Sequence, residues 1–207
     1  MTRLIWAVVA VVAALALPAD ARASTGQRQD VVVRGQRLTL TVYLPPAGSP
    51  VQGTVLIGSG DVGWVGLATT LAEYLSDAGY VVGGINVRQY LAAFAGADSS
   101  HLQVDQIPAD FDMFAAVLRT RGSLARPVIL AGVSEGAALA VAAAATPDAH
   151  RWVDGVITFG LPATAELAWR WKDAVSWVTK SDAAEPSFSP HEIIAQVAPL
   201  PLLMLQS

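Results

Sequence analysis

Apolar and polar positions along the 207-residue chain fall into two kinds of run. Arg37 to Leu44, RLTLTVYL, alternates residue by residue, as a strand with one solvated face does, and stops at Pro45-Pro46. Gly53 to Gly60, GTVLIGSG, is a short apolar run ended by glycines, which suits a strand buried on both faces. YVVGGIN from Tyr80, PVILAGV from Pro127, VDGVITFG from Val153 and LPLLMLQS from Leu200 have the same character. Between these runs the spacing changes to three and four residues. Leu67, Leu71 and Leu75 predict a helix over Trp64–Ala78, closed by Gly79. Phe111, Phe114, Val117 and Leu118 stripe a helix over Ile107–Arg119, Glu135–Ala145 reads as an alanine-rich helix, and Pro190–Val197 as a short one. Leu161–Lys180 is less regular and holds Trp169, Trp171 and Trp177.

Strands alternating with helices predict an α/β fold: a doubly wound, mostly parallel sheet with helices on both faces. No internal repeat, low-complexity segment or linker divides it.

The N-terminus stands apart from that pattern. Arg3 precedes an uninterrupted apolar stretch from Leu4 to Leu17, Pro18 breaks it, and Ala21-Arg22-Ala23 offers a small-x-small cleavage site. This is the layout of a secretory signal peptide over residues 1–23, cleaved after Ala23, with one domain over residues 24–207. The stretch is short for a bilayer span, which needs about 20 residues, so an uncleaved anchor is the weaker alternative. With no cysteine there is neither a disulfide framework nor a lipoprotein anchor. A net charge of −4, with no Lys/Arg run, argues against a nucleic-acid partner. The expectation is an exported soluble protein, periplasmic or secreted.

The candidate chemistry lies at the strand–helix junctions. In Gly132-Val133-Ser134-Glu135-Gly136 a serine stands between two glycines, after an apolar strand and before the alanine-rich helix. This is the G-x-S-x-G pattern of a nucleophile elbow: a tight turn lifts the serine oxygen above the carboxyl edge of the sheet, and glycines two residues to either side avoid collision. The bland alternative is a tight turn with an inert serine. Gly58-Ser59-Gly60-Asp61-Val62-Gly63-Trp64 occupies the equivalent junction after an earlier strand. An acyl-transfer site of this architecture takes one oxyanion donor from each place, here the main-chain amides of Asp61 and Glu135. Ser59, Gly60 and Trp64 are candidate substrate contacts. A glycine-rich turn with Asp61 as helix cap is the other reading. No metal or organic cofactor is implied.

The GSGDVGW loop, GINVRQY after the next strand and GVSEGA at the elbow resemble the VirJ/AcvB family of exported bacterial virulence proteins. The match runs in order and spacing from Gly53 to Ser207. It departs from the usual pattern at Val62, where a glycine is common, and at Glu135, where an aromatic residue is. The resemblance implies an α/β-hydrolase fold and a periplasmic serine ester hydrolase acting on lysyl-phosphatidylglycerol, with some members tied to type IV secretion. Asp61 and Glu135 suit a cationic head group electrostatically. Glu135 is equally explained by a favourable place at a helix start.

An elbow serine needs a base and an orienting acid, in the chain order Ser, acid, His. His101 precedes the serine, His150 follows its helix to the opposite edge, and His191 leads into the last strand, so each is expected at the surface. Asp173 or Asp182 could be a displaced acid, but a base would still be lacking. The expectation is therefore a sheet truncated at its C-terminal edge, and a chain catalytically crippled as it stands. Ala168 to Val178 reads as a lid, as a peripheral contact with membrane lipid, or as a buried helix. The reading is an exported serine hydrolase of a small-molecule or lipid ester. Its rival is a non-catalytic periplasmic binding or chaperone-like module.

Overall fold

The strands of the computed structural model pair in the order β1-β2-β4-β3-β5-β6-β9, where β1 is Gln27–Val33, β2 Gln36–Tyr43, β3 Gly53–Gly58, β4 Tyr80–Ile85, β5 Val128–Val133, β6 Gly155–Phe159 and β9 Leu202–Leu205. The structure describes residues 25–96, 101–120, 124–169 and 186–206. Residues 1–23, expected from the sequence to be a signal peptide, lie outside these, as do Asp173, Asp182 and most of the tryptophan-rich stretch. β1–β2 and β2–β4 are antiparallel and the other pairings in this sheet are parallel. The doubly wound, mostly parallel sheet is as the sequence pattern predicts.

Helices α1 (Leu67–Asp77), α2 (Val87–Phe94), α3 (Ile107–Arg119), α4 (Glu135–Ala144) and α5 (Pro190–Ile193) cover it. Each parallel strand serves two cores. In β3, Leu56 faces the larger core with α3 and α4, while Val55 and Ile57 face the smaller one under α1. All six β3 residues are buried, which is why the run is apolar without alternation. The alanines of α4 let that helix lie close: from Gly136 to Ala144 every residue is buried.

Four sequence expectations change. β1 was not anticipated, because Gln27, Arg28, Gln29 and Asp30 give an edge strand a polar signature. The Arg34-Gly35 turn that joins it to β2 has φ of 46° and 81°, a two-residue hairpin geometry. α2 was also missed; its start is marked by Asn86, whose side chain accepts the Gln89 N–H at 3.1 Å. The helix expected from Trp64 starts three residues later, because Gly66 at φ 64° breaks the helical path before it. The short helix expected over Pro190–Val197 is an α-turn to Ile193 followed by a tighter 3-10 turn, Ile194–Val197.

After β6 the chain rises into a two-stranded pairing of β7 (Ala165–Glu166) with β8 (Ser187–Phe188). Among the described residues, no helix is long and apolar enough to cross a membrane.

Candidate active site

Ser134 sits between β5 and α4 with φ 50° and ψ −118°, a backbone state that costs a residue with a Cβ of order 1–3 kcal/mol. Three glycines make the turn possible. A Cβ on Gly132 would collide with the main chain of Gly136, and one on Gly136 with the main chain of Gly58 and Ser59. On Gly58 it would press 3.0 Å from the Gly136 Cα. The third glycine, in a neighbouring strand, is visible only in the fold. The Ser134 N–H donates to the Phe159 carbonyl at 2.9 Å, which ties the turn to the end of β6.

Serine at a helix start commonly spends its hydroxyl on a capping bond. Ser134 makes none, and its half-buried hydroxyl hydrogen-bonds no histidine or carboxylate among the described residues. The opening amide of α4, that of Glu135, has no protein acceptor among the described residues, and neither does the amide of Asp61. Gly60 brings the two segments together: a Cβ built on it would lie 3.7 Å from the Ser134 Cβ. The elbow and the 58–64 loop thus share one place on the carboxyl rim of the sheet.

Two candidate substrate contacts are corrected. Ser59 is completely buried; its hydroxyl donates to the Gly60 carbonyl at 3.0 Å and accepts the Val87 N–H at 3.1 Å. It shapes the loop from beneath. Trp64 folds under the loop onto the sheet, where the missing side chain of Gly84 leaves room for the indole, and its N–H donates to the Tyr43 hydroxyl at 3.1 Å. Both residues are used by packing, a role that their spacing in the loop does not distinguish from substrate contact.

The histidines are spread out. The ring of His150 pairs with the Ala144 carbonyl at 2.9 Å at the far end of α4, and His191 is exposed on α5. His150 and His101 are both half-buried rather than at the expected surface, and His101 is the one near the elbow. It is half-buried beside Leu102, whose N–H donates to Leu167 at 3.1 Å, on the same rim as the elbow.

The sequence reasoning missed Glu166. Its main-chain N–H donates to Glu135 Oε2 at 3.2 Å. Burial pushes the Glu135 carboxyl up to about 7, helped by the charges of Glu166 and Asp61, while the Glu166 hydrogen bond works the other way. The Asp61 and Glu166 carboxylates therefore act on the carboxyl of Glu135, the residue next to Ser134. Nearby, the Arg88 guanidinium lies 3.9 Å over the ring of Trp169. No local signal marks Glu166, which meets Glu135 from 31 residues away. Among the described residues, no group of three or more His, Asp or Glu side chains is arranged to hold a metal ion.

No protein-family model matches the sequence, and no curated protein matches it. Solved structures do. A protein of Klebsiella pneumoniae assigned as a dienelactone hydrolase superposes with a TM-score of 0.57 at 13% identity, over 90% of this chain and 87% of its own. The fold is that of the α/β-hydrolases. A soluble variant of monoglyceride lipase from Saccharomyces cerevisiae matches with a TM-score of 0.52 at 14% identity, over 88% of this chain and 72% of its own. Brefeldin A esterase, a bacterial homologue of human hormone sensitive lipase, matches at 0.51 and 20% identity over 84% of this chain. The chain spans 53% of that esterase's length. At such identities the likeness is one of fold, and within it Ser134 stands where strand gives way to helix in the middle of the sheet.

Proposed function

We propose that the protein is a serine ester hydrolase with Ser134 as nucleophile. The observation that carries this is the backbone of Ser134: a strained positive φ is kept at a residue whose hydroxyl is spent on no structural bond among the described residues. In the proposed reaction the Ser134 oxygen attacks an ester carbonyl and its proton passes to a base. The amides of Asp61 and Glu135 hold the oxyanion, and the leaving oxygen takes the proton back from that base and departs as the alcohol. Water then attacks the acyl-serine, releases the acid and restores the hydroxyl. Treatment with a fluorophosphonate probe is expected to place the label on Ser134; an unlabelled Ser134 in an otherwise reactive preparation would end the proposal.

The substrate class follows from charge. Asp61, Glu135 and Glu166 around one reacting centre favour a cationic acyl group, in keeping with the lysyl-phosphatidylglycerol that the resemblance to the VirJ/AcvB family implies. A lysyl ester is expected to exceed a neutral acyl ester in kcat/KM, and Asp61→Asn, which keeps its main-chain amide, to reduce that ratio about 3- to 10-fold at low salt. An unchanged ratio would remove the cationic class. Export through residues 1–23 is part of the proposal; N-terminal sequencing of the exported protein is expected to begin at Ser24, and retention of Met1 would contradict it.

The second reading is a non-catalytic periplasmic binding or chaperone-like module. One observation favours it: among the described residues the Ser134 hydroxyl meets no base. The probe experiment separates the two.

A further inference from the structure

Among the described residues eight large hydrophobic side chains are exposed, and three of them fall together where the chain passes from β3 to α1: Val62 at 64%, Val65 at 55% and Leu67 at 50%. Aliphatic side chains exposed singly are ordinary, but three between residues 62 and 67 make a patch. The backbone that carries them is braced. The Trp64 indole turns into the protein between Val62 and Val65, where its N–H donates to the Tyr43 hydroxyl at 3.1 Å. The Gly63 N–H donates to the Gly60 carbonyl at 3.1 Å, and the Val65 N–H to the Gly63 carbonyl at 2.8 Å. Gly63 and Gly66 hold φ of 95° and 64°, turns that glycine makes without strain. At the start of α1 the Thr69 and Thr70 hydroxyls both donate to the Gly66 carbonyl, at 2.8 and 3.2 Å. With Trp64 anchored inside, this backbone keeps Val62, Val65 and Leu67 in water, where apolar surface is unfavourable. The same loop carries the Asp61 amide, and Gly60 sets it against Ser134.

We propose that residues 61–67 form a lipid-docking surface: Val62, Val65 and Leu67 enter the acyl boundary of a bilayer and seat the rim that carries Ser134 against it. The docking stands on exposure, bracing and charge. It rests on the reading of Ser134 as a nucleophile only for its consequence, that a lipid ester reaches the serine from the plane of the membrane.

Size and charge select this occupant. Three half-exposed aliphatic side chains present on the order of 200 Å², about a quarter of the ~800 Å² that each partner of a standard protein complex buries. A second copy of the chain needs far more surface than this patch, whereas a bilayer takes up small aliphatic insertions and requires no complementary shape. From Gly58 to Leu67 the charged side chain is Asp61, so the loop holds no Lys or Arg to seek an anionic surface. A Cβ built on Gly63 would lie 3.9 Å from the Arg88 Cβ, and the Arg88 guanidinium stacks at 3.9 Å on the ring of Trp169. Against that one cation stand Asp61 and, beyond the loop, the paired Glu135 and Glu166, in a chain of net charge −4. The favoured surface is therefore a bilayer with cationic head groups, then a zwitterionic one, and last an anionic one.

Site-specific labels read the docking directly. The chain has no cysteine, so Val62→Cys gives a single labelling site. Val51→Cys is the control, because Val51 is 49% exposed but precedes β3, at the amino end of the sheet. Each variant of the exported protein carries a nitrobenzoxadiazole label and is mixed with phosphatidylcholine vesicles, alone or with a minor fraction of a quaternary-ammonium lipid or of phosphatidylglycerol. The Val62 label is expected to shift to shorter wavelength and to be quenched by spin-labelled acyl chains, while the Val51 label does neither. Half of the shift is expected at the lowest lipid concentration on the cationic vesicles and at the highest on the anionic ones, a difference that salt narrows. Adding Val65→Ser and Leu67→Ser to the labelled Val62→Cys chain is expected to raise the lipid needed for half of the shift about tenfold. A Val62 label that responds no more than the Val51 label on all three vesicles overturns the proposal, and so does tightest binding to the anionic ones. Self-association without lipid that the two serine substitutions abolish assigns the patch to a second copy and overturns it as well. The single-cysteine labels decide even where the serine variant fails to fold. Docking is measured without turnover, so an inert Ser134 would end the hydrolase proposal and leave the lipid surface to be judged on its own.

Discussion

Ser134→Ala is expected to abolish the ester hydrolysis that depends on the serine, a loss of about 10⁴- to 10⁶-fold in a site where a base serves the nucleophile. The change deletes one oxygen that makes no hydrogen bond among the described residues, so the fold should not notice it. The alanine keeps a Cβ at φ 50°, so the backbone strain remains and the melting temperature is expected to stay where it was. Ser134→Gly should be equally inactive yet more stable, because glycine adopts this backbone freely. Relief of about 1 kcal/mol corresponds to a rise of about 2–4 °C for a domain of this size. Activity and calorimetry on the two variants together test the elbow. Substantial hydrolysis by Ser134→Ala would sink the nucleophile, and a glycine variant that melts lower would contradict the strain.

The largest stability effect is expected at Asp110, whose side chain is 1% exposed on α3. It accepts the Arg34 Nε at 2.9 Å and Nη2 at 2.8 Å, and the Tyr90 hydroxyl at 2.6 Å. Arg34 lies at the tip of the β1–β2 hairpin and also stacks 3.7 Å over Phe94. Tyr90 on α2 packs edge-on against Phe94 and Phe114. One carboxylate thus joins the edge hairpin to two helices. Asp110→Ala strands the buried Tyr90 hydroxyl and removes the partner of Arg34. A lone buried charge would cost more, but Arg34 is 30% exposed and can turn to water, so the loss is set at about 2–4 kcal/mol. Thermal unfolding is expected some 5–15 °C lower. In a double-mutant cycle, Tyr90→Phe should cost little once Asp110 is gone, because the stranded hydroxyl goes with it. A cost below about 0.5 kcal/mol for Asp110→Ala would show that the network contributes little.

The middle of the sheet was legible because its signals are local. A strand buried on both faces is nearly all apolar, and β3, β4, β5 and β6 are, with only Thr54 and Thr158 as polar exceptions. The elbow is five consecutive residues, and Gly132 and Gly136 advertise the close approach that the backbone makes there. The edges were less readable. β1 is half polar because its outer side faces water, and α2 is only eight residues long. Ser59 and Trp64 sit in the loop that borders the site, but their side chains turn into the protein, and which way a side chain turns depends on what waits there. For Trp64 that is the absent side chain of Gly84, 20 residues on and two elements away.

By itself, then, the sequence determined the run of strands and helices, the parallel class of the sheet, and a serine at a strand–helix bend. Each of these is set by periodicity or by the steric needs of neighbouring residues. Only the tertiary structure decided that Glu166 would reach Glu135, that Gly58 would complete the elbow, and that Arg34 would find Asp110 across 76 residues. Those contacts pair groups distant in the chain, and the polar atoms involved carry no period. Burial raises the Glu135 carboxyl and closes the Tyr90–Asp110–Arg34 network, and it exists only once the layers have packed.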